Sequence, residues 1–581
     1  MKLGHTAAAL LLAGASAACN GALLHDAWRM HGAGPSGPRP SLTTSQRAIP
    51  AFATPPLTPQ ALTRHVQTLS SDEFGGRAPG TRGEQLTIDY VTHAFSALGL
   101  QPGAPNPAGG QPLWTQDVPM VTATVTNNPV LNLGGANYAY GTDFVAWTKR
   151  LDENVDLQNA ELVFVGYGVV APELGWNDYA GVDMHGKVAV ILINDPDFAT
   201  GDDRGFGGRA MTYYGRWTYK YEEAARQGAA GAIIIHDDAA AAYGWPVVNS
   251  SWTGPQFDLA REDRGASRVE VEGWIQNNVA RELFRRAGLD LAAEQVRAQR
   301  PDFTPVSLNQ RASIDLQSSF EFSVSHNLIA VLPGSERPEE AVLYSAHWDH
   351  LGECTPVDGD NICNGALDNA TGVAGLIELA RNFVANGPAK RSVAFISFTG
   401  EESGLLGSQY YAAHPTFRPA DIAAMINMDG LSNVAPARDI TVIGFGQTNL
   451  QDMLADAARS QGRVITAERF PERGSFYRSD QFNLAKIGVP VLYTGAGLDF
   501  FDGGVERGRA ASEDFVAHRY HKPDDEWSPD WDMTGAMRDL QLLYAVGRQV
   551  ADSDQWPNYR QGSEFRAIRD ASRTEDGLRN R

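Results

Sequence analysis

From about residue 311 onward, short apolar runs alternate with amphipathic helical patterns. The runs HNLIAVLPG, AVLYSAHWDH, RSVAFISF, IAAMINMDG, DITVIG and GVPVLYTGAG are dense in Val, Ile, Leu and Ala at successive positions. Strands apolar at every position are buried on both faces, so the pattern predicts an α/β fold with a mostly parallel sheet flanked by helices. TGVAGLIELARNFV supplies one covering helix, and a last helix is expected from about Met533 to Val550. Nearer the start, Leu86, Tyr90, Ala94 and Leu98 share one face of a helix over 84–98 that Gly99 stops. Residues 128–308 have a different texture: strands in ELVFVGYGVV, KVAVILIND and GAIIIHD, and an amphipathic helix in TYKYEEAARQG. They read as a smaller α/β unit inserted into the larger one, which spans 58–127 and 309–550. Residues 551–581 read as a polar tail.

A chain of 581 residues exceeds what one hydrophobic core supports, which agrees with two units. The formal net charge of -21 argues against nucleic acid or anionic lipid as partner, because the phosphate contribution is repulsive. The first 19 residues, MKLGHTAAALLLAGASAAC, combine Lys2, a short apolar stretch and small residues, which is an export signal too short to span a bilayer. Ala15-Ser16-Ala17 fits a cleavage site and yields a soluble product in the periplasm or outside the cell. Ser16-Ala17-Ala18-Cys19 also resembles a lipoprotein box, which would yield a lipid anchor at Cys19. Residues 20–57, rich in Pro, Ser, Thr and Gly, read as a linker. In an oxidising compartment the close pair Cys354 and Cys363 is expected as a disulfide, with two free buried thiols as the alternative.

The chemistry gathers at the C-terminal ends of the predicted strands, the rim where open α/β sheets bind ligands. There the sequence sets His347 and Asp349, then Asp368 before a helix, the pair Glu401-Glu402, Asp429, and much later His521. Each has an ordinary structural explanation: a strand-end histidine, a helix-entry aspartate, acidic residues in a first helical turn. Taken together at one rim they suit a metal centre better. His347, Asp368 and Asp429 can hold one ion, and Asp368, Glu402 and His521 a second, with Asp368 bridging. Imidazole and carboxylate ligands in this mixture favour two Zn2+ ions. Glu401 is then the carboxylate left over, free to act as general base. Asp349, two residues past His347, is set to take the other ring N–H and fix its tautomer.

HWDHLG, GALDNATGVAGLIELA, FTGEESGLLGS, NMDG and YHKPDDE, in that order, resemble the co-catalytic zinc aminopeptidase family, which includes leucyl aminopeptidases and glutamate carboxypeptidase II. SDQFNLAKIGVP and SDEFGGRAPGTRG are similar to further segments of it, so the resemblance covers roughly 60–550, and the insert resembles a protease-associated domain. The resemblance implies a zinc-exopeptidase fold, a cis Asp368-Asn369 bond, and peptide substrates. It also implies a tyrosine that steadies the oxyanion, Tyr520 in one branch, with Tyr477 as its rival. The expected reaction is hydrolysis of the peptide bond at a free N-terminus. A carboxypeptidase or dipeptidase is the nearest alternative, for which Arg209, Arg216 and Arg478 are available. A glutaminyl cyclase is disfavoured because the first-site ligands are all present. A non-catalytic, receptor-like binding protein is the reading from another class. The stretch GRAMTYYGRW, 208–217, is expected to face the catalytic cleft and to limit substrate length through Tyr213 or Tyr214.

Overall fold

The computed structural model describes residues 57–574. The export segment, Cys19 and all but the last residue of the linker lie outside the described residues. In the larger unit, the end of the strand Val306–Leu332 is followed in space by Arg391–Phe398, Arg337–His347, Ile422–Asn427, Val491–Gly495, Asp439–Ile443 and Val464–Ala467. The four strands from Arg391–Phe398 to Val491–Gly495 are mutually parallel, as the doubly apolar runs predict. Every residue of Arg391–Phe398 and of Ile422–Asn427 is buried. Thr371–Ala385 and Thr534–Asp552 cover one face, joining Leu376, Phe383, Leu540 and Val546 in a single core. The other face packs Phe398, Tyr411, Phe482 and Leu484. Contact between the last helix and the sheet is close at Gly547, where an added Cβ would meet the Tyr344 hydroxyl. That hydroxyl donates to the Leu543 carbonyl at 2.8 Å.

The insert carries its own sheet and two cores of its own, one on each face. Its parallel centre comprises Asn154–Phe164, Val188–Leu192, Gly231–Ile235 and Val271–Ile275. One expected boundary, at 308, falls inside a strand. Val306–Leu332 pairs with Asn154–Phe164 in the insert, then with Thr115–Val125, and finally with Arg391–Phe398 in the larger unit. Its exposed and buried positions alternate over 306–320, so only its end, in the run HNLIAVLPG, is marked as apolar.

Residues 551–574 of the expected polar tail pack onto the larger unit instead. Tyr559, Phe565 and Arg569 are buried there, and Arg569 donates to the carbonyls of Pro419 and Ile422. Few apolar residues carry this segment, so periodicity did not reveal it. Cys354 and Cys363 form the expected disulfide, S–S 2.06 Å, across a hairpin of Gly352–Val357 and Asp360–Cys363. Among the described residues no helix is long and apolar enough to cross a membrane.

Candidate metal centre

The strands Arg337–His347, Arg391–Phe398 and Ile422–Asn427 end side by side, which brings His347, Glu401, Glu402 and Asp429 to one rim. Nε2 of His347 lies 3.2 Å from Asp429 Oδ1 and 3.3 Å from Asp368 Oδ1. The other oxygen of Asp368 faces Nε2 of His521 at 3.3 Å, and that nitrogen is 3.1 Å from Glu402 Oε2. Asp368 therefore turns one oxygen to each imidazole, the arrangement a bridging carboxylate requires. The Asp368-Asn369 bond is cis, as the resemblance implies.

The residues fit divalent ions. Ligand atoms of His347, Asp368 and Asp429 lie within 4.8 Å of one another, and so do those of His350, Asp368 and Glu402. Both ring nitrogens of His521 are buried without a hydrogen-bond partner, although Nε2 touches two carboxylates. A buried polar nitrogen aimed at carboxylates without bonding them is placed as a ligand would be.

Two expectations need correction. The sequence expectation sets the Asp349 carboxylate on the His347 ring. Nδ1 of His347 instead lies 3.1 Å from the Asp349 main-chain carbonyl, and 3.8 Å from the carboxylate. Donation to that carbonyl leaves Nε2 with its lone pair toward the cluster. The Asp349 carboxylate accepts from the main-chain N–H groups of Glu401, at 3.2 Å, and Glu402, at 3.4 Å. It fixes the turn that aims the two glutamates. Tyr477 is the second correction. Its hydroxyl donates to Glu564 Oε1 at 2.9 Å, so it is turned into the packing of the C-terminal segment and away from the cluster. Tyr520 remains at the site, stacked on His521 with ring centres 3.8 Å apart.

The ordinary explanation of the two glutamates fails on geometry. The helix they were read against starts only at Leu406, and they sit in the turn before it. Their surroundings differ sharply. Burial pushes the Glu401 carboxyl well above its ordinary value; His347 opposes this, while Asp429, Glu402 and Asp480 add to it. Burial acts on Glu402 in the same sense, but His521 and His350 hold it down to about 2. Of the two carboxylates Glu401 is the more basic and Glu402 the more readily ionised, the split expected of an acid–base group beside a ligand.

Sequence reasoning passed over several residues that build the site. His350, the last residue of HWDH, sets Nδ1 2.6 Å from Glu402 Oε1. Tyr493 brings its hydroxyl to 3.5 Å from Asp429 Oδ2. Asp525 accepts from the main-chain N–H of Leu367 and of Asp368, and so holds the cis turn. Asn369 binds Met428 and Gly430, which ties the Asp368 turn to the Asp429 loop. Arg77 is fully buried and donates to the carbonyls of Leu69, Trp348, Asn364 and Gly365. Burial lowers it to about 10, with Asp525, Asp368, Asp349 and Glu402 acting the other way. Removing it would strand four carbonyls at about 1–3 kcal/mol each. Its signal was present in SDEFGGRAPGTRG, a segment that carries no metal-binding side chain at the rim.

Residues 327–545 match the family model for Peptidase family M28. The chain is 41% identical over 106 residues to a "Probable zinc metalloprotease" of Pyrenophora tritici-repentis, covering 18% of this chain and 24% of that one. It is 32% identical over 111 residues to "Leucine aminopeptidase 1" of Trichophyton equinum, covering 18% of this chain and 29% of that one. It thus spans about a quarter of the length of such curated relatives. Among solved structures, an aminopeptidase from Aneurinibacillus sp. strain AM-1 aligns with a TM-score of 0.45 and 19% identity, covering 86% of this chain and 95% of that one. The matched stretch, residues 327–545, is the one that carries His347, Asp368, Glu401, Glu402, Asp429 and His521.

Proposed function

We propose that the protein is a di-zinc exopeptidase that removes N-terminal residues from peptides. The observation that carries this reading is Asp368, whose two oxygens face His347 and His521 separately. His347, Asp368 and Asp429 would hold one zinc ion, and Asp368, Glu402 and His521 the other. When bound, zinc supplies polarisation of the scissile carbonyl and a water of lowered pKa. Glu401 takes the proton of the attacking water and returns it to the leaving amine. Its raised proton affinity suits a group that must hold a proton between the two transfers. Tyr520, buried beside His521, is the donor proposed for the oxyanion.

A receptor-like binding protein would not need Glu401, which binds no metal in this scheme. The insert is read as a protease-associated domain, and the enzyme as exported. The disulfide supports an oxidising compartment. The deciding experiment measures zinc content and hydrolysis of one peptide with its N-terminus free, its C-terminus blocked, or the reverse. Cleavage of the free-amine peptide with about two zinc ions per chain is expected. Cleavage of only the N-blocked peptide would replace the aminopeptidase reading with a carboxypeptidase.

A further inference from the structure

Between the two units the strand Val306–Leu332 is paired along one edge only. Leu328 lies opposite Thr115 on the first edge and Ser397 on the second. Ser318 lies opposite Val125 on the first edge and donates its N–H to the Glu153 carbonyl at 2.8 Å on the second. From 319 to 327 the first edge stays paired with Thr115–Val125 without a shift of register. The second carries no strand there, because Asn154–Phe164 has ended and Arg391–Phe398 has not begun.

Main-chain groups of every second residue in such a ladder face the same side. The Ser318 N–H faces the second edge, so the groups of Phe320, Phe322, Val324 and His326 face it too. The His326 carbonyl is taken by the Trp348 indole at 2.9 Å. Among the described residues, the N–H and carbonyl groups of Phe320, Phe322 and Val324 have no hydrogen-bond partner. Water reaches this stretch: Phe322 is 63% and Val324 50% exposed, and Ser319, Glu321 and Ser323 are exposed as well. Open edges are ordinarily blunted by lysine, proline or a bulge, and 319–325 has none of these.

The open stretch ends at the rim that carries the candidate ligands. Ser325 Oγ lies 2.6 Å from Thr399 Oγ1, and Asn327 Oδ1 accepts from the Thr399 N–H at 3.1 Å. Glu401 follows two residues later. Arg391–Phe398 thus leaves the edge where the metal centre begins, and the row of free groups carries its line onward. A chain laid there antiparallel to Val306–Leu332 would run in the direction of Arg391–Phe398, with its N-terminus nearest the rim. That is the polarity of a peptide losing its first residue; a peptide held by its C-terminal end needs the reverse.

We propose that this edge binds the substrate beyond its first residues by strand addition, exchanging main-chain hydrogen bonds with Phe320, Phe322 and Val324. The enzyme would then favour extended peptides of about six residues or more, whatever their side chains. This rests on the exopeptidase reading. The test compares kcat/KM for leucine 4-nitroanilide and for C-terminally amidated peptides of one leucine followed by threonines, up to about eight residues long. kcat/KM should rise at least about tenfold with length and then level off, as a few net main-chain hydrogen bonds supply. N-methylation of every second peptide nitrogen, in the phase that faces the edge, should abolish the rise; in the other phase it should not. Phe322→Pro, which withdraws one outward N–H, should cut the ratio of long to short peptides. Equal kcat/KM at all lengths, or equal effects of the two methylation phases, overturns the inference and leaves the exopeptidase reading standing. Cleavage of none of the free-amine substrates overturns that reading instead, and amide hydrogen exchange of the full chain then decides the edge alone. Slowed exchange across 319–325 with the longest peptide supports strand addition, and unchanged exchange sinks it. Slowing that follows protein concentration without peptide assigns the edge to a second copy and also overturns the proposal.

Discussion

Glu401 and Glu402 are neighbours in the chain, yet His521 and His350 crowd only the second. Glu401→Gln keeps volume and candidate ligands, so it should bind two zinc ions while kcat falls about 10²–10⁴-fold, the range typical of general acid–base catalysis. Glu402→Gln should lose metal at the His521 side and regain part of its activity in excess zinc. Zinc content of the two purified variants checks the contrast; metal loss from Glu401→Gln would mean that the roles are reversed. These residues were legible because strand ends in an α/β sheet converge, which turns separate motifs into one rim. The roles of Asp349 and Tyr477 were not. Residue type shows that a carboxylate or hydroxyl is present, but only tertiary packing turns Asp349 to the glutamate turn and Tyr477 to Glu564.

At the scale of elements, the hairpin Gly352–Val357 and Asp360–Cys363 joins the His347 strand to the Asp368 turn. It packs against Asp72–Arg77, and Gly76, at φ +67°, leaves no room for a Cβ beside the Cys363 carbonyl. Replacing Cys354 and Cys363 together by serine should lower stability by roughly 2–3 kcal/mol at most, since the closed loop is short. Urea unfolding of the oxidised protein and of the double variant measures the difference. A much larger loss would mean that the sulfur packing, more than the cross-link, holds the hairpin. Strands that are apolar throughout were readable as elements, and so was the amphipathic helix that the structure sets at Arg82–Ala97. The strand Thr115–Val125 was missed because its mixed residues pair across a ribbon that is partly open to solvent. The tyrosines of GRAMTYYGRW pack differently from expectation. Tyr213 bonds Glu222 and Tyr214 bonds Glu173, while Arg216 and Trp217 of the same stretch line a cavity between the two units.

Across the whole molecule, separate cores give the two units separate liabilities. Inside the insert, burial raises Asp178 to about 7, although its carboxylate accepts from the Val169 N–H and the Trp176 indole and Lys220 acts to lower it. Its folded value exceeds the unfolded one, near ~3.9. Between the two, the folded state keeps a proton that the unfolded state has lost, so stability falls as pH rises through this window. Asp178→Asn should flatten that fall. Urea midpoints at pH 5 and pH 8 test it, and an unchanged difference between them would clear Asp178 of the effect. Two units were legible from length and from the change of texture near residue 128. How they are joined was not, because the joint is made of paired strands: Val306–Leu332 runs from one sheet into the other, and Gln256–Leu259 of the insert pairs with Thr115–Val125 of the larger unit. That continuity has a mechanical meaning. Domain closure ordinarily turns on a few loop residues that absorb the change in backbone angles. Here paired strands take that place. A shift of the insert against the larger unit would therefore have to strain the hydrogen bonds between paired strands, as a leaf spring flexes where a hinge would turn.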